Sequence, residues 1–256
     1  MKMVKSLLRE WFTWKWLLVY GVLLLMSNAS NRVLMQNQAV LGAQANIWDR
    51  LLLSFSHTAL LVYVMMPFSI LLSVMVIQRN LDHVVRIRCQ SWCRWIIWVM
   101  TEYLPVLSMM LLCLVCSVIV WGSVFRDGHS WSAFADEPSN SVNWFSALAA
   151  QSGMPPIVVI VIHIVQLAFF LMFVHLILTL IQMLVGRKYS AAVAGGVVYV
   201  YIALASHYFP LNGWNPIVYM SASTVAVVYH SYCTGLWIMG CMAVVLASIA
   251  CWMQKR

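Results

Sequence analysis

Residues 156–185 read PIVVIVIHIVQLAFFLMFVHLILTLIQMLV, thirty positions without one charged side chain. A stretch that long cannot be buried in an ordinary soluble core, and it exceeds the roughly 20 apolar residues that carry a helix across a bilayer. Such a run dictates the company it keeps. Only 9% of the 256 residues are charged and 63% are hydrophobic, with a mean hydropathy of +0.87. Ordinary soluble domains carry roughly 25% charged residues. The chain therefore reads as an all-α integral membrane protein. The short strictly alternating segments of a membrane barrel do not occur in it.

Six runs have spanning character, at about 16–29, 54–78, 96–122, 156–185, 189–206 and 231–252. They form a single transmembrane domain over 1–256. Ahead of the first run, Trp11, Trp14 and Trp16 stand among Lys5, Arg9 and Lys15, the pattern of an interfacial amphipathic helix. The N-terminus reads as a retained first helix, because no small-residue cleavage site follows it.

Charge sets the expected orientation. With the N-terminus inside, twelve cations (Lys2, Lys5, Arg9, Lys15, Arg79, Arg86, Arg88, Arg94, Arg187, Lys188, Lys255, Arg256) lie on the cytoplasmic side, against Arg32, Arg50 and Arg126 outside. That asymmetry puts both termini of a multi-pass membrane protein in the cytoplasm. It also accounts for the net charge of +8 without nucleic acid. Segments 30–53, 123–155 and 207–230 face outward on this reading. The last is half apolar and is expected to dip back as short re-entrant helices, turning at Asn212-Gly213 and Asn215-Pro216.

Motifs for autonomous energy use are missing. There is no Gly-Lys dipeptide for a Walker A loop, no His-Glu pair for a zinc-protease helix and no Gly-x-Ser-x-Gly elbow. The chain is thus expected to be no enzyme, and any work against a gradient draws on a separate subunit.

The wettest cytoplasmic stretch is RNLDHVVRIRCQSWCRW (79–95). Asn80 or Asp82 can cap a helix starting there. Leu81, Val84, Val85 and Arg88 then share one face, and Arg86, Gln90 and Arg94 another. Such a helix serves either as an anchor on lipid phosphates or as a docking surface for a cytoplasmic partner. A basic amphipathic segment between spans two and three, in a six-span chain with no nucleotide site, resembles the permease subunits of bacterial ABC exporters. The small Gram-positive lantibiotic-immunity and peptide-export type is most similar. The resemblance rests on IWDRLLLSF (47–55), on Pro67 within YVMMPFSILL and on VRIRCQSWCRW (85–95).

The resemblance implies a coupling helix over about 80–94 that docks on the ATPase, with Asp82, Val84, Val85, Arg86, Arg88, Gln90 and Arg94 as contacts. It implies ATP and magnesium on that partner rather than any cofactor here, a second permease subunit, and surrounding membrane lipids. The cargo is expected to be amphipathic or hydrophobic, such as a bacteriocin-like peptide or a lipid-like compound.

Other residues offer separate chemistry. Glu102 is the acidic residue placed inside a span, either in a gating or subunit-contact role or resting near the interface beside Arg94 or water. Pro105 could kink that span. Ala191/Gly195 and Ala192/Gly196 stand four apart, the spacing that lets two helices approach closely, and they are expected to pack either inside the bundle or across a permease dimer. His163 and His175 are separated by about 18 Å of helical rise, so they cannot share one haem iron. His57, His129, His207 and His230 could meet near the outer face, which leaves a haem or copper redox protein, or a non-transport membrane partner, as alternatives. All the cysteines but Cys233 fall in membrane or cytoplasm and are expected to be reduced thiols; Cys89 and Cys93, four apart, could bind a metal but are expected to be plain thiols.

Overall fold

The computed structural model describes residues 14–81, 91–122, 128, 130–135, 144–187 and 189–253. Among them there is no strand: nine helices and two short 3-10 turns account for the ordered elements. They are α1 (Trp14–Leu41), α2 (Ile47–Ser56), α3 (Thr58–Arg79), α4 (Trp92–Gly122), α5 (Trp144–Gln151), α6 (Pro156–Val185), α7 (Ser190–Tyr208), α8 (Ala222–Tyr229) and α9 (Thr234–Met253). Five of these, α1, α3, α4, α6 and α7, are long and apolar enough to cross a membrane. The pair α8 and α9, bent by 99° at its break, makes a sixth if counted as one span.

Local chemistry explains most of the boundaries. Pro156 opens α6, where its missing N–H would have had no partner. Gly186, at φ +65°, closes it in the left-handed conformation that glycine adopts freely. Inside α3, Leu61–Met65 forms one π turn immediately before Pro67. The proline ring cannot sit over the carbonyl four residues back, at Tyr63, and widening that turn relieves the clash. Ser91 caps α4, its Oγ accepting from Arg94 N at 3.2 Å. No break in the helix occurs at Pro105.

The sequence reading needs correction at four places. The first apolar run continues to Leu41, far beyond position 29, because Ser27 and Asn31 are buried instead of marking an aqueous end. Positions 54–56 belong to α2, and the spanning helix starts at Thr58. Residues 92–94 are the first turn of α4, so Arg94 is an exposed residue of a membrane-length helix. Cys93 is disulfide-bonded, not a reduced thiol. The coupling-helix residues Asp82, Val84, Val85, Arg86, Arg88 and Gln90, and the N-terminal amphipathic segment, lie outside the described residues.

The residues group into two compact units, one drawn from Met1–Leu60 and Ser108–Val161, the other from Leu61–Leu107 and Ile162–Arg256. In the first, α2 packs against α1 and α5. Leu34, Ala45, Leu53 and Phe134 form a shared apolar cluster. Asn46 begins α2 with a capping box, its Oδ1 accepting from Trp48 N and Asp49 N while Asp49 Oδ2 accepts from Asn46 N. The same two side chains reach the 128–132 loop: Asn46 Nδ2 donates to Ser130 O at 2.7 Å, and Ser132 Oγ donates to Asp49. Trp48 Nε1 adds a bond to Gly128 O at 2.6 Å. Burial raises the pKa of Asp49, and the bonds from Asn46, Ser132 and Ser146 offset part of that rise. Burial also lowers that of Arg50 to about 10 and that of His57 below its ordinary value.

In the second unit α7 packs along α3. Ala191 and Gly195 are buried on that face, whereas Ala192 and Gly196 are exposed. A Cβ on Gly195 would lie 2.6 Å from Ile70 Cγ2, so only glycine admits this approach. The 207–230 stretch folds into a 3-10 turn at Pro216–Met220 followed by α8. Asn215 caps the turn, accepting from Ile217 N at 3.1 Å while its Nδ2 donates to carbonyls of Ala205, Phe209 and Pro210.

Candidate functional site

The described residues that flank the 82–90 segment meet at one side chain. Asn80 follows the last turn of α3, its backbone N–H donating to Val76 O and Ile77 O. Asn80 thus closes the helix behind it, while the 82–90 segment that the sequence expects it or Asp82 to cap lies outside the described residues. Its Nδ2 donates to Val76 O at 2.9 Å and to Glu102 Oε2 at 2.8 Å. Its Oδ1 accepts from Trp98 Nε1 at 3.0 Å, and its backbone carbonyl accepts from Trp95 Nε1 at 2.8 Å. Three residues of α4, one per turn or nearly so, thus grip the end of α3. Asn80 and Trp95 are buried, while Glu102 and Trp98 are half-buried. Glu102 therefore has a definite partner within the fold, and it is Asn80, not the Arg94 of the sequence expectation.

A buried polar seam continues from this knot between the same helices. Ser69 of α3 lies 2.7 Å from the Tyr103 hydroxyl of α4. Tyr103 stacks on His175 of α6, with ring centroids 4.1 Å apart and planes 15° from parallel. His175 Nε2 donates to Val99 O at 3.3 Å, which assigns Nδ1 as the acceptor from Ser73 Oγ at 2.6 Å. Polar side chains at membrane depth are satisfied by neighbouring helices, each such bond contributing on average about 0.6 kcal/mol. Here three membrane-length helices are joined without an apolar interruption at those positions.

Of the other histidines, His163 and His207 have local hydrogen-bond partners, and the buried Nδ1 of His57 has none. His163 Nε2 accepts from Ser223 N at 3.0 Å and so is the unprotonated nitrogen, with Ser223 Oγ 2.7 Å away. His207 bonds the hydroxyl of Tyr63, at the centre of the π turn. His230 is exposed in a left-handed conformation, and His129 lies outside the described residues. Among the described residues no three His, Cys, Asp or Glu side chains converge as a metal would need.

Geometry gives the knot a mechanical character. Two helices that could otherwise slide past one another share three hydrogen bonds at their ends. Sequence reasoning singled out Glu102 but missed Asn80 as its partner, and missed the seam altogether. Ser69 and Ser73, four apart on one face of an otherwise apolar span, were the available signal. The chain matches no family model, no curated protein and no solved structure.

Proposed function

We propose that this chain is the membrane-spanning subunit of an ATP-driven exporter in a bacterial cytoplasmic membrane. It has six spans and cytoplasmic termini, and it works beside a second permease subunit, identical or related. A separate ATPase binds the 80–94 region. Closing and opening of the ATPases moves that region, and the movement rocks spans two and three to alternate access for an amphipathic or hydrophobic cargo. The observation that supports this reading is the Asn80 knot. It ties both ends of the one strongly cationic loop to each other and, through the Ser69–Tyr103 and Ser73–His175 bonds, to α6. A loop serving only as a lipid anchor has no use for such bracing. In the six-span count α8 and α9 together supply the last span.

Co-purification from the native membrane tests it. An ATPase subunit is expected to accompany the wild-type chain and to be lost from the Arg86→Glu, Arg88→Glu double variant. Retention of the partner by that variant refutes the docking role.

A further inference from the structure

Helices α6 and α7 are joined by only four residues, 186–189, and the joint is closed by one side chain. Gln182 Nε2 donates to Arg187 O at 2.8 Å, and its Oε1 accepts from Ser190 Oγ at 2.8 Å and Ala191 N at 3.0 Å. Beside this fixed turn runs a groove of about 430 Å³. Its walls are Ile181 and Val185 of α6 and Val193 and Ala194 of α7. Its end at the turn is formed by Arg187, Tyr189 and Ser190. Val185, Tyr189 and Val193 are among the most exposed apolar side chains of the chain, and the Arg187 side chain is exposed beside them.

Both helices are of membrane-crossing length, so the turn that joins them lies at the level of lipid headgroups and the apolar groove runs from there into the hydrocarbon. Water is a poor occupant, since the walls offer no polar partners for it. The occupant must be aliphatic along its length and anionic at one end. An arginine presents paired N–H donors that match phosphate oxygens, an exposed tyrosine suits the interface, and the sequence continues the positive charge with Lys188. We infer that the groove holds an acyl chain of an anionic glycerophospholipid whose phosphate rests on Arg187. The inference depends on α6 and α7 crossing a membrane, and not on the ATPase reading.

Native mass spectrometry of the full chain in mild detergent tests it, with dioleoylphosphatidylglycerol, dioleoylphosphatidylcholine or inorganic phosphate added. Phosphatidylglycerol is expected to stay bound under activation that strips phosphatidylcholine. Arg187→Gln, at an exposed position, is expected to weaken it about fivefold, the effect of one interfacial cation. Val193→Trp, which fills the groove from its exposed flank, is expected to reduce binding of both lipids with helix content unchanged by circular dichroism. Equal retention of the two lipids, or phosphatidylglycerol binding untouched by Arg187→Gln, overturns the inference. Inorganic phosphate retained as well as the lipid also overturns it, because the groove would then contribute nothing. Each of these outcomes is independent of whether an ATPase co-purifies.

Discussion

Two asparagines, Asn46 and Asn80, each organise the end of a helix, and they do so in opposite ways. Asn46 stands before α2 and turns its bonds inward: to the first amides of its own helix, and to a loop that packs beside it. The charge it helps to hold, Asp49, is sealed off from solvent. Asn80 stands after α3 and turns outward, so that two of the three bonds of its side chain go to α4. Glu102, the charge beside it, keeps part of its surface open. A staple of the first kind fixes local shape. The second kind makes two long helices move as one. Hydrogen-bond number is similar in the two; what differs is the partners' distance along the chain.

The contrast can be broken at its stronger end first. Asn80→Leu leaves the buried Trp95–α3 contact without its neighbouring bonds and strips partners from Trp98 and Glu102. The expected loss is about 3 kcal/mol in reversible unfolding in detergent, given roughly 1–3 kcal/mol for each polar group stranded in a buried setting. A loss under about 1 kcal/mol would show that the knot holds nothing. Asn46→Ala removes a helix cap and one loop bond and should cost less, about 1–2 kcal/mol by the same measurement. Should it cost more than Asn80→Leu, the ranking of the two regions is inverted.

Asp49→Asn gives the smallest effect and the most diagnostic one. Burial raises the Asp49 pKa above 3.8, so the folded state holds the proton more tightly than the unfolded chain does. Its contribution to stability is complete below 3.8 and is lost as pH rises through the higher folded value. Asparagine keeps an acceptor for Ser132 and cannot ionise. The difference in melting temperature between wild type and variant should therefore shift in the variant's favour as pH rises from acid to neutral. A difference that does not change with pH would mean that Asp49 ionises in the fold as easily as in water.

How far the sequence could be read depended on where polar groups find their partners. Span 156–185 was legible to the residue, because an apolar run ended by a proline pair and a glycine needs no outside information. The first helix was cut short, because Ser27 and Asn31 look like the start of a wet loop until one knows that they are buried. On sequence Asn80, with Asp82 as the alternative, is able to cap a following helix; its partners in α4 lie 15 to 22 positions further on, beyond any local rule. By contrast, the Asn46–Asp49 cap is a four-residue pattern ahead of an apolar run and was open to recognition. Of the two small-residue pairs, spacing alone ranks them equally, and the packing of Ile70 against Gly195 chooses between them.

The Gln182 closure has a consequence for the order in which the chain is made. A ribosome delivers α6, the turn and α7 in succession, and the bonds that Gln182 makes across the turn, to Arg187, Ser190 and Ala191, all fall within residues 182–191. Those bonds wait for no residue synthesised later. The pair can close as a hairpin while α8 and α9 are still unmade, with the exposed Arg187 at its tip.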